Sequence, residues 1–281
     1  MRRSARILLP LLALKALSAQ AQDPSFIDSL KRIVARGATD KKTSNALYEL
    51  ALENLGRAPD QALLYAQRAL VMSRAATYPI GEVQALSAWA SALQDMGDMS
   101  GALNYYRLSQ TRSGMIGDSV GVAQQEGNIG MVHAQLGDYP EALKHFIAAL
   151  KMDQAVGRRD WEADAMANIG NVHKEQHEHE LALEYLRASQ RLCGELGDRG
   201  GVARAHNNIA GVLESQRDLP ATKAHLDSAL SIQLELGYTF DALGTRANLS
   251  MLKLELGQQE EALRESEAVI RDAAAAGDPF D

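Results

Sequence analysis

The sequence predicts an all-α protein in which antiparallel helix pairs stack into an α-solenoid. Glycines recur at multiples of 40 residues, and a period between about 20 and 50 residues is typical of repeat architectures. Apolar residues make up 46% of the 281 residues and aromatic residues only 5%, a composition that favours helices over strands. Apolar side chains also recur at helical spacing within each period. The periodic glycines are Gly37, Gly117, Gly157, Gly197, Gly237 and Gly277.

Residues 1–21 have the pattern of a cleaved secretory signal peptide. Three arginines precede the apolar stretch 7–14, and Ala19-Gln20-Ala21 provides a cleavage site of small residues. The apolar stretch is too short to span a bilayer. The alternative is an amphipathic first helix. We therefore expect a bacterial protein that is exported to the periplasm or the extracellular space.

The net charge argues against nucleic acid as a partner. The full chain has a formal net charge of −7 at pH 7, and removal of residues 1–21 takes away four basic residues and no acidic ones, leaving −11. Phosphate backbones are bound by basic patches. No later stretch is apolar enough for stable membrane insertion after signal cleavage. The single cysteine, Cys193, leaves no intramolecular disulfide.

The repeat register divides the rest of the chain into helical segments. Each repeat has two segments of about 16–18 residues separated by a short turn such as Gly137-Asp138, so each is expected to form two antiparallel helices. With one further helix beginning at Pro24, the register predicts thirteen helices. The predicted segments are an N-terminal half-repeat at 22–40, repeats at about 41–80, 81–120, 121–160, 161–200, 201–240 and 241–277, and a tail at 278–281.

The repeated positions resemble the tetratricopeptide repeat. The clearest copy carries Ile129-Gly130, His133, Leu136-Gly137, Ala142, Phe146 and Ala149. The period of 40 residues, with Asn before the Ile-Gly pair, is similar to the variant found in kinesin light chains, G-protein-modulator scaffolds and bacterial signalling proteins. The resemblance covers residues 41–277. It implies a right-handed superhelix of six repeats whose first helices line a concave groove that binds a protein or peptide.

Four asparagines recur on the first helices and are the main candidate site residues: Asn128, Asn168, Asn208 and Asn248. At 100° per residue they lie opposite the core-facing positions and therefore on the groove wall. An amide carries both a donor and an acceptor, and in the similar families such asparagines contact the backbone of a bound peptide. Asn171, Lys174 and Arg204 complete the predicted set, the two cations as charge readers. The alternative is that each asparagine bonds to a neighbouring helix or to water and supports the superhelix.

Other chemistries find little support in the residue pattern. A groove for a C-terminal carboxylate needs several cations, and only Lys174 and Arg204 qualify. His173 and His177 are one helical turn apart and could bind a metal, but the core position of the repeat explains His173 and a turn explains His177. No nucleophile lies in a recognisable catalytic motif. The sequence therefore predicts no enzyme, no metal and no cofactor.

Three functional hypotheses remain open. The first is an exported scaffold that binds a peptide or protein segment. The second is the extracytoplasmic sensor-input module of a bacterial histidine kinase or regulator, and the third is a metal-binding or enzymatic protein.

No capping helix follows the sixth repeat in the sequence. We therefore expect Leu263, Val269 and Ile270 to be exposed unless self-association or a partner chain covers them.

Overall fold

The chain is a succession of α-helices. The computed structural model describes residues 24–275, and within this range there are thirteen helices and no strand. The predicted fold class and number of helices are confirmed. The predicted signal peptide at 1–21 and the tail at 278–281 lie outside the described residues. No helix within the described range is long and apolar enough to cross a membrane.

The helices have nearly constant length after the first two. Their bounds are α1 (Pro24–Ala35), α2 (Lys41–Asn54), α3 (Pro59–Ala75), α4 (Pro79–Asp95), α5 (Met99–Met115), α6 (Ser119–Gln135), α7 (Tyr139–Val156), α8 (Arg159–Glu175), α9 (His179–Leu196), α10 (Arg199–Ser215), α11 (Leu219–Leu236), α12 (Thr239–Glu255) and α13 (Gln259–Ala275).

Two compact units divide between Met152 and Asp153, near the end of α7. In the first unit, α1 packs on α2, and α2–α3 and α4–α5 form helix pairs. The α6–α7 pair follows, joined by contact between Gly130 and Phe146. The second unit consists of the pairs α8–α9, α10–α11 and α12–α13. Within each unit the second helix of a pair also packs on the first helix of the next.

The turns between helices contain a residue in the left-handed conformation. Nine glycines have φ between 67° and 83°, a region that glycine enters without steric cost. Thr77, His177 and Arg217 take the same conformation, with φ of 50°, 62° and 63°, although it costs an L-residue about 1–2 kcal/mol. The turn geometry therefore persists in the copies that lack glycine, because the packed helices on both sides impose it.

Small residues on the first helix face large residues on the second. A Cβ atom on Gly130 would lie 2.8 Å from the ring of Phe146. A Cβ atom on Gly170 would lie 2.8 Å from Leu186 Cγ and 3.1 Å from the carbonyl oxygen of Ala182. These contacts set how closely the two helices of a pair approach. The equivalent residues in other pairs are Ala90 with Tyr106, and Ala210 with Leu226.

The buried residues of neighbouring pairs merge into shared clusters. Ile129 and Val132 of α6 pack with Tyr106 of α5, and all three are at most 1% exposed. Ile129 therefore faces the core. On α13, Leu263 and Ile270 are 62% and 68% exposed, as expected, whereas Val269 is half-buried.

Candidate functional site

The first helices of the second unit carry most of the predicted site residues. Helix α8 packs against α10, and α10 is joined to α12 because Asn207 Nδ2 donates to Thr245 Oγ1 at 3.0 Å. Three asparagines recur at equivalent positions of these helices, and we call the surface that they and the other predicted residues form the first-helix face. It is defined by Asn168, Asn171, Lys174, Arg204, Asn208 and Asn248.

The recurring asparagines of this face have side-chain amides that form no hydrogen bond within the described residues. Asn168 and Asn208 are half-buried and Asn248 is exposed, and none of the three side-chain amides forms a hydrogen bond with any residue in the described range. One turn further along α8, Asn171 Oδ1 is enclosed by protein and has no donor among the described residues. A buried acceptor without a donor costs about 1–3 kcal/mol. The face therefore offers amide groups whose hydrogen-bonding capacity the described chain does not use.

Asn128 does not fit this description, and the prediction that it lies open on the groove wall is wrong. It is only 8% exposed, and its Nδ2 donates to Gln125 Oε1 at 3.2 Å. Gln125 Oε1 also accepts from Ser87 Oγ of α4 at 3.2 Å. The positions equivalent to Gln125 in the next two repeats are Ala165 and Ala205, which offer no acceptor. The glutamine one turn before Asn128 was the sequence signal for this difference.

Lys174 and Arg204, which are predicted to recognise charged groups of a ligand, both lie in ion pairs. Lys174 Nζ is 3.1 Å from Glu175 Oε1, and its stem runs beside Gly211 of α10, where a Cβ atom would lie 3.8 Å from Lys174 Cδ. Arg204 Nη2 is 3.8 Å from Asp164 Oδ1 and 3.5 Å from an oxygen of Asp198. Such partly exposed pairs contribute only about 0–1 kcal/mol. The two cations can therefore exchange these carboxylates for those of a ligand at little cost.

Sequence reasoning missed a buried polar network in the first unit. The Tyr106 hydroxyl donates to Gln94 Oε1 at 3.0 Å, and Gln94 Nε2 donates to Gln135 Oε1 at 2.8 Å. Burial raises the pKa of Tyr106 well above its ordinary value. Gln135 thus joins α6 to α4.

The histidines near the end of α8 have structural partners. His173 Nδ1 lies 2.6 Å from Glu178 Oε2, and the ring stacks on Tyr185 with centroids 5.7 Å apart. His177 occupies the turn. Within the described residues, no group of three or more His, Cys, Asp or Glu side chains could hold a metal ion.

Cys193 is buried, and burial raises the pKa of its thiol, which disfavours the nucleophilic thiolate.

Comparison with known proteins agrees with this architecture. The tetratricopeptide repeat family model matches residues 122–194, from α6 into α9. The matched residues include Asn168, Asn171 and Lys174, which are half of the first-helix face. Comparison with curated proteins gives no match.

Several solved structures share the fold. BtubC (BKLC) from P. vanneervenii is 21% identical, with a TM-score of 0.66 over 78% of this chain and 92% of that chain. The apo form of RapI is 18% identical, with a TM-score of 0.67 over 89% of this chain and 91% of that chain. The Rap conjugation gene regulator of plasmid pLS20, solved in complex with the Phr* peptide, is 15% identical, with a TM-score of 0.66 over 92% of this chain and 72% of that chain. At these identities the similarity shows the tetratricopeptide-repeat fold alone.

Proposed function

We propose that the chain is a non-enzymatic interaction scaffold and that its first-helix face binds an extended peptide or protein segment. The observation that carries this proposal is the set of amides on α8, α10 and α12 that have no hydrogen-bond partner among the described residues. Elsewhere, as at Asn128 and Asn207, amides at neighbouring positions are paired. Polar groups enclosed by protein are normally hydrogen-bonded, so the unpaired Asn171 Oδ1 points to a ligand, and the recurring amides of the same face are available to the same ligand.

The spacing of the asparagines suits an extended backbone. Packed helices lie about 8–10 Å apart, and an extended chain rises about 3.3 Å per residue. One asparagine per repeat therefore meets about every third residue of a segment that crosses α8, α10 and α12. Because an amide both donates and accepts, each asparagine can pair with a peptide N–H or C=O whatever the side chain. Asn168, Asn208 and Asn248 would together hold about seven residues.

Two further observations support a peptide ligand. The pLS20 regulator, which has the same fold, was solved with the Phr* peptide bound. The ion pairs of Lys174 and Arg204 give the face a mixed charge, so backbone hydrogen bonding rather than net charge is the main attraction. Binding should accordingly weaken only moderately as salt is added.

The experiment is to select peptides from a random display library on the purified protein and to measure their Kd with Asn168→Ala/Asn208→Ala. Each lost hydrogen bond costs about 0.5–1.5 kcal/mol, so the double variant should bind about 5- to 150-fold more weakly. Its helicity by circular dichroism should be unchanged, because neither amide bonds to another described residue. Asn104→Ala is the matched control, since Asn104 is exposed on the second helix α5 and its loss should leave the Kd unchanged.

Wild-type affinity in the double variant would contradict the proposal and would leave Asn168 and Asn208 with a structural role only. Equal weakening by Asn104→Ala would point to a different surface.

We also propose that the protein is exported, from the signal-like pattern of residues 1–21. Mass spectrometry of the protein recovered from the cell envelope should show a mature chain beginning at Gln22. Recovery of the uncleaved chain from the cytoplasm would contradict export.

A further inference from the structure

Two histidines meet between the helices of the fifth repeat. His206 Nδ1 of α10 lies 2.9 Å from His225 Nδ1 of α11, with ring centroids 4.9 Å apart. On its other side, His206 Nε2 lies 2.9 Å from Gln190 Nε2 of α9. His206 therefore joins three consecutive helices through its two ring nitrogens. Both rings are half-buried.

The equivalent positions in repeats three and six carry side chains of opposite charge. Eighty residues before the histidine pair, Gln110 Nε2 donates to Glu126 Oε1 at 2.7 Å, and Glu126 Oε2 lies 2.6 Å from His145 Nδ1. Forty residues after it, Arg246 Nε donates to Glu265 Oε1 at 2.9 Å. Repeat five alone of these three has two bases in place of an acid and a base.

The hydrogen bonds of the pair fit two neutral imidazoles. An amide nitrogen can only donate, so Gln190 donates to His206 Nε2. The proton of neutral His206 is then on Nδ1, which donates to His225 Nδ1. A further proton on His206 Nε2 would face the Gln190 amide hydrogens, and one on His225 Nδ1 would face the hydrogen of His206. Protonation of either ring at these atoms therefore replaces a hydrogen bond with a repulsive contact.

The pKa values of both histidines are shifted toward the neutral form. Burial lowers the pKa of His206, and the neighbouring His225 lowers it further. Burial also lowers the pKa of His225, followed by the positive charge of Arg187 from α9. No carboxylate of the described residues, on α8 to α12, is among the charges that shift either ring. Each added proton therefore places a positive charge in a half-buried site beside another base.

We propose that His206 and His225 form an acid-sensitive switch that loosens the α10–α11 hairpin as the pH falls through the histidine range. Because the folded state resists protonation, it binds fewer protons than the unfolded state below about pH 6.5, and stability is lost as the pH falls. Helix α10 also carries Asn208, so acid should weaken binding at the first-helix face, a consequence that rests on the proposed function.

The test is to titrate the histidine ring signals by NMR and to measure amide protection factors from pH 7.5 to pH 5. In the wild type, the His206 and His225 signals should titrate below pH 6.5, in steps that belong to the pair. Protection in α10 and α11 should fall with pH relative to α4 and α5.

His206→Glu reproduces the Gln-Glu-His arrangement of repeat three, so this loss should vanish or reverse. His225→Gln removes one of the two bases and should reduce the loss.

His145→Gln is the matched control in the first unit and should leave the acid response of α10 and α11 unchanged. Titration of both rings at or above pH 6.5, or an undiminished loss of protection in both repeat-five variants, would overturn the proposal. These readouts need no ligand, so failure of the switch can be told apart from failure of the proposed binding function.

Discussion

Replacing Phe146 with alanine should lower the free energy of unfolding of the first unit by about 3–5 kcal/mol. The side chain is 2% exposed, and its ring lies over Gly130. Because Gly130 has no side chain, it cannot move to fill the space that the ring leaves. The variant therefore loses both the burial of the ring and the packing contacts of its neighbours.

The two tryptophans of the chain, Trp89 and Trp161, lie in different units. Urea unfolding in a Trp161→Phe background therefore reports on the first unit through Trp89. Phe146→Leu is the matched control, because Leu186 occupies the equivalent position over Gly170, and it should cost less than about 1.5 kcal/mol. A loss with leucine as large as that with alanine would contradict this account of the helix-pair contact.

Replacing Arg158 with alanine should destabilise the second unit by about 3–5 kcal/mol. Asp153 is 3% exposed, and its Oδ1 lies 3.3 Å from Arg158 Nη1. The guanidinium also stacks 4.0 Å above the ring of Trp161. The substitution removes the cation beside a buried carboxylate, and a buried charge that loses its opposite charge is strongly destabilising.

Two controls separate this effect from a general loss of charge. Arg159→Ala removes the neighbouring arginine, whose ion pair with Glu195 is exposed on both sides, and should cost less than about 1 kcal/mol. Adding Asp153→Ser to Arg158→Ala removes the buried carboxylate and should restore part of the loss, since Ser73 and Ser113 occupy the equivalent positions. Unfolding is followed by circular dichroism in urea. Equal costs for the two single arginine variants would contradict the prediction.

The repeat register predicted the helices because their turns and core positions recur in nearly every copy. Gly130 and Ile129 could be assigned to the core from their spacing alone, and the structure places them there. The left-handed turn persists even where His177 and Arg217 replace glycine. Recurrent features are determined by packing that each copy repeats, so they can be read from one sequence.

The features that sequence reasoning missed occur in single copies. Asn128 occupies the same repeat position as Asn168, but the Asn128 amide donates a hydrogen bond to Gln125. The Asp153–Arg158 pair replaces the serine found at this position in earlier repeats, and the His206–His225 pair replaces an acid and a base. Such departures concern which side chain reaches which neighbour, and a pattern averaged over repeats conceals them. Lys174 and Arg204 were placed on the correct helices, but their carboxylate partners depend on side-chain torsions that spacing does not fix.

The most direct test of the central claim is an NMR titration that follows the side-chain amide signals of the asparagines as a selected peptide is added. If the first-helix face binds an extended segment through unused amides, the signals of Asn168, Asn208 and Asn248 should shift and saturate together. The signal of Asn128, already committed to Gln125, should not move. Saturable binding that leaves the three signals unchanged, or that shifts only asparagines outside this face, would contradict the account.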